Sequence, residues 1–152
     1  RGEVGYVCPR FEEPRLRELV RDLDLERYVS FEGNIPENSL AGYYRACDIF
    51  IMLSRQEIAP DGVEGFGIVF LESAFFSKPS IGGRSGGIAD AIEDGVSGLL
   101  VDPLNLDEIS QAITRLLNDP SLRDRLGSAG RSRAINQFSI AKYSQRLKDV
   151  LA

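Results

Sequence analysis

Short apolar runs alternate along the chain with longer segments in which apolar residues recur at helical spacing. The short runs are followed by glycine, proline or small polar residues, as buried strands are. Strict alternation of strand and helix indicates parallel strands joined by right-handed crossovers, with helices on both faces of the sheet. The sequence therefore predicts an α/β fold. The five predicted strands are Val4 to Cys8, Tyr28 to Phe31, Ile49 to Leu53, Ser80 to Ile81 and Gly98 to Val101.

From Leu106 onward the pattern is helical, with no strand between the helices. The first of these segments carries its apolar residues on one face and ends before a proline. Ser121 and Ser139 are residues of the type that caps helices, so we expect one helix to begin at each. Residues 120–152 are therefore predicted to be C-terminal helices, and residues 1–152 are predicted to form one domain.

Composition excludes several classes of function. The net charge of -5 argues against a nucleic-acid partner, because such partners are bound by basic surfaces. No apolar run approaches the roughly 18 residues that span a bilayer. The chain has no histidine, which removes Ser/His and Cys/His catalysis and the commonest transition-metal ligand. Any chemistry must therefore depend on carboxylates, backbone amides and arginines.

Two cysteines, Cys8 and Cys47, allow at most one disulfide. Cys47 lies beside an apolar strand, where a reduced and buried thiol is the commoner state. We therefore expect a cytoplasmic protein.

Ligands of open parallel sheets bind beyond the carboxyl ends of the strands, where loops lead into helix N-termini that favour anions. Two of these loops are glycine-rich: the one after the third strand and the one after the fourth. No G-x-G-x-x-G turn follows the first strand, so an NAD or FAD site lacks its expected turn. The sequence also has no G-x-x-x-x-G-K-[ST] motif, which argues against a P-loop nucleotidase.

Two glutamates flank the uncharged segment that leads from the third strand into the next helix. Gly65 and Gly67 let backbone amides approach a ligand, with Glu64 at the rim of the cleft and Glu72 inside the helix. Each glutamate has a second interpretation. Glu64 could cap the helix, an effect of about 0.3 to 1 kcal/mol. Glu72 could be a solvated point on an amphipathic helix or a partner of the Arg84 loop.

The segment Gly82 to Gly87 after the fourth strand also has two interpretations. Its glycines could serve a tight turn and close helix packing. Alternatively, they admit a sugar or phosphate to the helix N-terminus at Gly87 and Ile88. We favour the second interpretation, because two glycine-rich helix entrances on adjacent loops would form one anion cleft.

Several ordered motifs between Phe31 and Asp119 point to one family. They are "FEG" before a loop, "YYRACDIF" followed by Ser54, the E-x7-E pair with Phe66-Gly67 inside it, "SGG" at 85–87 and "DGVSGLLVDP" at 94–103. The run resembles the C-terminal half of retaining glycosyltransferases that use nucleotide sugars, the GT-B glycosyl transferases group 1 family. The resemblance implies a Rossmann-like domain that binds the sugar donor.

On the sugar side, the resemblance implies that Glu64 contacts hydroxyls of the transferred sugar near the reacting centre. It also implies that the backbone around Gly65, Phe66, Gly67 and Ile68 meets the sugar or the diphosphate. Glu64 then acts as a nucleophile or as an electrostatic partner of the sugar, and we favour the second role.

On the nucleotide side, the resemblance implies that Glu72 accepts hydrogen bonds from the ribose hydroxyls. The loop around Asn34 and Ile35 is expected to hold the base through backbone groups. No metal or other cofactor is expected, because amides and basic residues replace Mg²⁺ in this family. The candidate sugar-donor loop after the fourth strand consists of Arg84, Ser85, Gly86 and Gly87.

The resemblance also implies parts that lie outside the given sequence. The family's diphosphate-binding arginine and lysine normally follow an earlier strand, and the acceptor binds an N-terminal domain. We expect this chain alone to lack transferase activity and to bind the nucleotide sugar weakly at most. The expected partners are the nucleotide diphosphate sugar and that N-terminal domain, through which the protein would associate peripherally with the cytoplasmic face of a membrane.

The sugar donor is expected to be GDP-mannose or a UDP-sugar. The segment Arg55 to Val63 is longer and more acidic than the family minimum and is a candidate for shaping that choice. Two other functions stay open: a nucleotide-sugar epimerase or hydrolase of the same architecture, and a non-catalytic regulatory domain that binds nucleotides.

Overall fold

A computed structural model describes the backbone of Val4–Tyr6, residues 12–54 and 66–139, and Lys142. The chain divides into two compact units, Arg1–Gly42 and Tyr43–Ala152. Each unit contains parallel strands with helices between them, which confirms the predicted α/β class. Within the described residues, none of the helices combines the length and the apolar character that crossing a bilayer requires.

The first unit contains a parallel pair of strands, β1 (Val4–Tyr6) and β2 (Val29–Phe31). Helix α1 (Glu13–Asp22) connects them and carries a proline in its first turn, where the missing N–H has no helical partner to lose. On α1, the guanidinium of Arg17 bonds Glu13 one turn earlier and lies 4.4 Å from the centroid of the Phe31 ring. These contacts attach the helix to β2.

Helix α2 (Glu37–Ala46) begins in the first unit and ends in the second. The second unit has three parallel strands in the order β3-β4-β5. The register places Ile51 beside Ile81 and Ile81 beside Leu99. Its strands are β3 (Phe50–Met52), β4 (Ser80–Gly83) and β5 (Leu99–Val101), and its further helices are α3 (Ile68–Phe75), α4 (Ile88–Ala91), α5 (Leu106–Asn118) and α6 (Pro120–Phe138).

The three-stranded sheet carries a hydrophobic core on each face. Leu99 and Val101 of β5 point into a core formed with α5 and α6, whereas Leu100 points into a core formed with α3 and α4. Successive side chains of a strand alternate between faces, so one buried strand contributes to both cores. The helices thus lie on both faces of this sheet.

Helix α6 packs directly on the backbone of its neighbours. A side-chain carbon at Gly127 would overlap the carbonyl oxygen of Ser77, and one at Gly130 would lie 3.1 Å from the carbonyl oxygen of Ser97. Glycine is therefore required at Gly127 for this close approach.

Two details differ from the sequence predictions. Ser121 is not the cap of α6: Asp119 precedes the helix and accepts a hydrogen bond from the backbone N–H of Leu122 (2.9 Å), with Pro120 in the first turn. The segment "GIADAIEDG" at 87–95 is predicted to be helical from its apolar spacing, but helix α4 ends at Ala91 because Ile92 adopts an extended backbone. The predicted helix from Ser139 falls largely outside the described residues.

Candidate functional site

The backbone converges at the carboxyl ends of the three strands of the second unit. A side-chain carbon at Gly83, which ends β4, would lie 2.5 Å from the carbonyl oxygen of Ser54 and 3.3 Å from Cβ of Pro103. The loops after β3, β4 and β5 therefore meet at one edge of the sheet. This is the edge at which parallel α/β sheets bind ligands.

Helix α3 begins there, at a left-handed glycine. Gly67 has φ 72° and caps the helix without a side-chain hydrogen bond to the first-turn amides. A side-chain carbon at this position would lie 2.6 Å from Cδ2 of Phe70, a ring buried beneath the turn. Neither the backbone angle nor the packing admits another residue without strain. Because glycine has no side chain, the N-cap residue of α3 itself covers none of the first-turn amides.

The second glycine-rich entrance lies next to the first. Gly87 precedes α4, and a side-chain carbon on Gly67 would lie 3.8 Å from Cγ1 of Ile88, the first residue of α4. Gly86, with φ 55°, makes the turn before it. The structure therefore places the two predicted helix entrances side by side.

Arg84 connects two loops of this edge. Its guanidinium donates to the carbonyl oxygen of Leu100 (2.7 Å) and to Oε1 of Glu108 (3.5 Å), and it lies 3.8 Å from a carboxylate oxygen of Asp94. The other oxygen of Glu108 accepts from the backbone N–H of Asp102 (2.9 Å). Arg84 thus ties the loop after β4 to the loop after β5. The alternative in which Glu72 pairs with the Arg84 loop is wrong.

Glu72 instead pairs with a tyrosine of α2. The hydroxyl of Tyr44 donates to Oε2 of Glu72 at 2.8 Å. The Tyr44 ring stacks on Phe76, with 5.7 Å between ring centroids, and is tilted against Phe50 at 5.8 Å. Sequence reasoning used Tyr44 only as part of a motif. The signal that could have found this pair is a carboxylate in an apolar helix, which needs a hydrogen-bond donor at the polar tip of a buried residue.

Burial raises the pKa of the Tyr44 hydroxyl well above its usual range, and the hydrogen bond to Glu72 and its charge add to this effect. The phenol, a protonated donor at neutral pH in any case, therefore stays protonated into the alkaline range. Burial also raises the pKa of the Cys47 thiol, although the nearby Lys78 acts in the opposite direction. A thiol with a raised pKa has little reactive thiolate at neutral pH, so Cys47 is a structural residue.

The end of α6 contacts both helix entrances. The ring of Phe138 packs against the ring of Phe66, which lies just before Gly67, with 5.3 Å between centroids. Arg133 lies over the same Phe138 ring at 5.5 Å and donates to the carbonyl oxygen of Asp90 in α4 (3.0 Å). We call Phe66, Phe138 and Arg133 the aromatic brace. It joins the segment before α3 to α4.

The remaining predicted site residues are placed as follows. Asn34 and Ile35 belong to the first unit, where they follow β2 after a turn at Gly33 with φ 62°; Asn34 is exposed and Ile35 is half-buried. Glu64, Gly65 and the segment 55–63 lie outside the described residues. Ser85 is half-buried and Ile68 is exposed at the start of α3.

Comparison with known proteins links this arrangement to one group. The family model described as "Glycosyl transferases group 1" matches residues 11–133. A GDP-mannose-dependent alpha-(1-6)-phosphatidylinositol monomannoside mannosyltransferase from Mycolicibacterium smegmatis is 34% identical over 137 residues, covering 90% of this chain and 36% of that protein. A D-inositol 3-phosphate glycosyltransferase from Acidothermus cellulolyticus is 40% identical over 123 residues, covering 80% of this chain and 26% of that protein.

Among solved structures, sucrose-phosphate synthase from Thermosynechococcus elongatus aligns with a TM-score of 0.82 and 28% identity. That alignment covers 99% of this chain and 38% of the synthase. The chain thus spans between 26% and 38% of the length of these relatives and of this structure.

Proposed function

The chain belongs to the glycosyl transferases group 1 family, and from this premise we propose that it is the sugar-donor-binding part of a retaining glycosyltransferase. The proposed reaction moves a hexose from a nucleotide diphosphate sugar to an acceptor hydroxyl. GDP-mannose is the first candidate donor, because the name of the Mycolicibacterium relative includes dependence on it. A UDP-sugar is the second candidate.

The observation that carries this proposal is the geometry of α3. Its entrance at Gly67 lies beside the start of α4, and Glu72 lies four residues after the exposed Ile68 on the same helix. Residues four apart share a face and are separated by about 6 Å along the helix axis. One side of α3 therefore offers amides for an anion and, one turn further on, a carboxylate for hydroxyl groups. A nucleoside diphosphate carries both kinds of group.

The proposed mechanism assigns the departing diphosphate to the entrance of α3. The first-turn N–H groups of a helix, which have no acceptor within the helix, and the helix dipole stabilise negative charge there, and they need no reorganisation as the sugar–phosphate bond breaks. Glu64 stabilises the oxocarbenium-like sugar as an electrostatic partner. We propose that no metal is required, because backbone amides and basic side chains of the intact protein neutralise the diphosphate.

The first test is an assay of the intact protein with GDP-mannose, UDP-glucose and a cell extract as the acceptor source. Mass spectrometry should detect a product heavier by one hexose, and NMR of the purified product should show the anomeric configuration of the donor. Release of free sugar alone indicates a hydrolase, an epimerised nucleotide sugar indicates an epimerase, and nucleotide binding without turnover indicates a regulatory domain. Each of these three results contradicts the proposal.

The second test separates the two glutamates in the intact protein. Glu64→Gln should lower kcat about 100-fold or more while leaving nucleotide affinity nearly unchanged. Glu72→Gln should instead weaken nucleotide binding and change kcat less at saturating donor. Glu18→Gln, at an exposed position of α1, is the matched control and should change neither value. The reverse pattern for the first two variants would overturn the assignment of roles.

A further inference from the structure

We propose that Tyr44 is a positioning residue: its hydroxyl holds the Glu72 carboxylate in the orientation that accepts the ribose hydroxyls of the nucleotide sugar. This inference rests on the proposed function, because it presumes that Glu72 binds the ribose. It adds a residue of α2 to a site otherwise formed by the loops and helices after the strands.

Tyr44 contacts α3 and the residue that caps its C-terminus, at two points about one helical turn apart. Its hydroxyl bonds Glu72, and its ring stacks on Phe76 with an interplanar angle of 13°. Residues four apart lie above one another on a helix face, so the length of the tyrosine side chain spans one turn of α3. Phe50 of β3 packs against the other side of this arrangement, 5.8 Å from Tyr44 and 5.6 Å from Phe70. The ring position of Tyr44 is therefore set by α3 itself and by the sheet.

The end of α2 that carries Tyr44 is also held. Nζ of Lys78 donates to the carbonyl oxygen of Arg45 (2.9 Å), and the Arg45 guanidinium lies 5.2 Å from the centroid of Phe76. The Cys47 thiol donates to the carbonyl oxygen of Tyr44 at 3.4 Å. Phe76 thus contacts both Tyr44 and Arg45. These contacts leave the Tyr44 hydroxyl little freedom to move away from Glu72.

The hydrogen bond from Tyr44 orients the Glu72 carboxylate without using all of its acceptor sites. The hydroxyl occupies a site on Oε2, whereas an ionised carboxylate offers about four lone-pair sites in all. The raised pKa of the phenol keeps the Tyr44 proton available for this bond into the alkaline range. Glutamate loses side-chain rotamer freedom when it binds a ligand, and the bond to Tyr44 removes part of that freedom beforehand. Tyr44 therefore favours binding through preorganisation and does not touch the nucleotide.

The test is a cycle that changes the protein and the ligand in turn. Isothermal titration calorimetry measures the affinity of the intact protein and its Tyr44→Phe variant for GDP and for 2′,3′-dideoxy-GDP, with UDP and its dideoxy counterpart as a second pair. Tyr44→Phe keeps the ring that packs on Phe76 and removes only the hydroxyl. We expect it to weaken binding of the ribonucleotide about five-fold and to leave binding of the dideoxynucleotide within about two-fold.

If Tyr44 supports only the fold, Tyr44→Phe should weaken binding of the ribonucleotide and the dideoxynucleotide equally, and that result overturns the inference. The inference is also overturned if the variant and the wild type show the same ratio of ribonucleotide to dideoxynucleotide affinity. Tyr28→Phe, which removes an exposed hydroxyl just before β2, is the matched control and should behave as wild type. Thermal melting of each variant confirms that all titrations are made on folded protein.

Failure of the proposed function would look different. If the wild type binds neither nucleotide, or binds both the ribonucleotide and its dideoxy counterpart equally, Glu72 is not a ribose ligand and the underlying proposal falls. If the wild type discriminates and Glu72→Gln removes the discrimination while Tyr44→Phe retains it, only the role of Tyr44 is wrong.

Discussion

The ring of Phe66 lies 5.3 Å from the ring of Phe138, at an interplanar angle of 58°. This contact joins the segment that enters α3 to the last residue of α6. The entrance that is proposed to bind the diphosphate is therefore held from outside the sheet, by the end of the longest described helix.

Phe138→Ala removes the central ring of the aromatic brace. We expect the free energy of unfolding to fall by about 1 to 3 kcal/mol, less than for a fully buried phenylalanine because Phe138 is only half-buried. The affinity for GDP should fall as well, since the segment before α3 loses its packing. Urea denaturation and calorimetry measure the two effects. Ile135→Ala, at an exposed position of α6, is the control. Lower stability with unchanged GDP affinity would limit the brace to a structural role.

Gly67→Ala should be the most damaging of three glycine substitutions. It combines the strain of a left-handed backbone, about 1 to 2 kcal/mol, with an overlap on Phe70. Gly95→Ala isolates the strain, because Gly95 has φ 73° and open space around it. Gly42 lies in the middle of α2, where it has neither a left-handed backbone nor a close neighbour. Gly42→Ala should therefore stabilise the protein by about 0.5 to 1 kcal/mol.

Chemical denaturation of these three variants ranks them on one scale. Equal losses for Gly67→Ala and Gly95→Ala would show that the packing of the α3 entrance on Phe70 is loose. That result would contradict the tight contact described here.

Asp119→Ala should destabilise the protein by about 1 kcal/mol, because it removes the acceptor for the backbone N–H of Leu122 at the start of α6. Ser121→Ala should change the free energy of unfolding by less than about 0.5 kcal/mol, because this residue is exposed inside the first turn. Thermal melting of both variants shows which substitution lowers stability more, and so which residue caps α6. A larger loss from the serine substitution would restore the sequence-based assignment.

Tyr44 should make stability depend on alkaline pH. Because its pKa is raised in the folded protein, the unfolded chain releases this proton near pH 10 while the folded chain retains it. The contribution is fully present below about pH 10 and is then lost with rising pH, by about 1.4 kcal/mol per pH unit until the folded pKa is reached.

Urea denaturation of wild type and Tyr44→Phe at increasing pH measures this slope. The difference between the two proteins isolates Tyr44, because every other residue is the same in both. The free energies of unfolding of wild type and Tyr44→Phe should therefore converge as the pH rises above about 10. Parallel curves would mean that the hydroxyl of Tyr44 is not held by burial and by Glu72.

The α/β class and the strand positions were predictable, because they depend on local periodicity. β5, for example, lies inside the predicted run Gly98 to Val101 and begins one residue later. The extent of α4 was not predictable in this way. Asp94 accepts a hydrogen bond from the backbone N–H of Leu100 (2.9 Å), and this contact across the turn into β5 competes with a longer helix. Such competition depends on a side-chain contact across a turn, which a helical spacing of apolar residues does not contain.

The candidate site shows the same division. Gly67 and Gly87 were identified from the sequence because glycine at a helix entrance has a local meaning. The bond between Tyr44 and Glu72 joins two helices that are far apart along the chain, and it depends on how both pack against β3. The prediction that Ser121 caps α6 was wrong for a local reason. Asp119 and Ser121 are both good capping residues, and only the backbone angle at Asp119 decides between them.

Strand β5 gives the second unit its cooperativity. Because Leu99 and Val101 support one core while Leu100 supports the other, neither layer of helices can detach without exposing the strand that the other layer needs. The two cores should therefore be lost in a single transition, as one foldon. In native-state hydrogen exchange, the amides of β5 should open only with global unfolding of this unit.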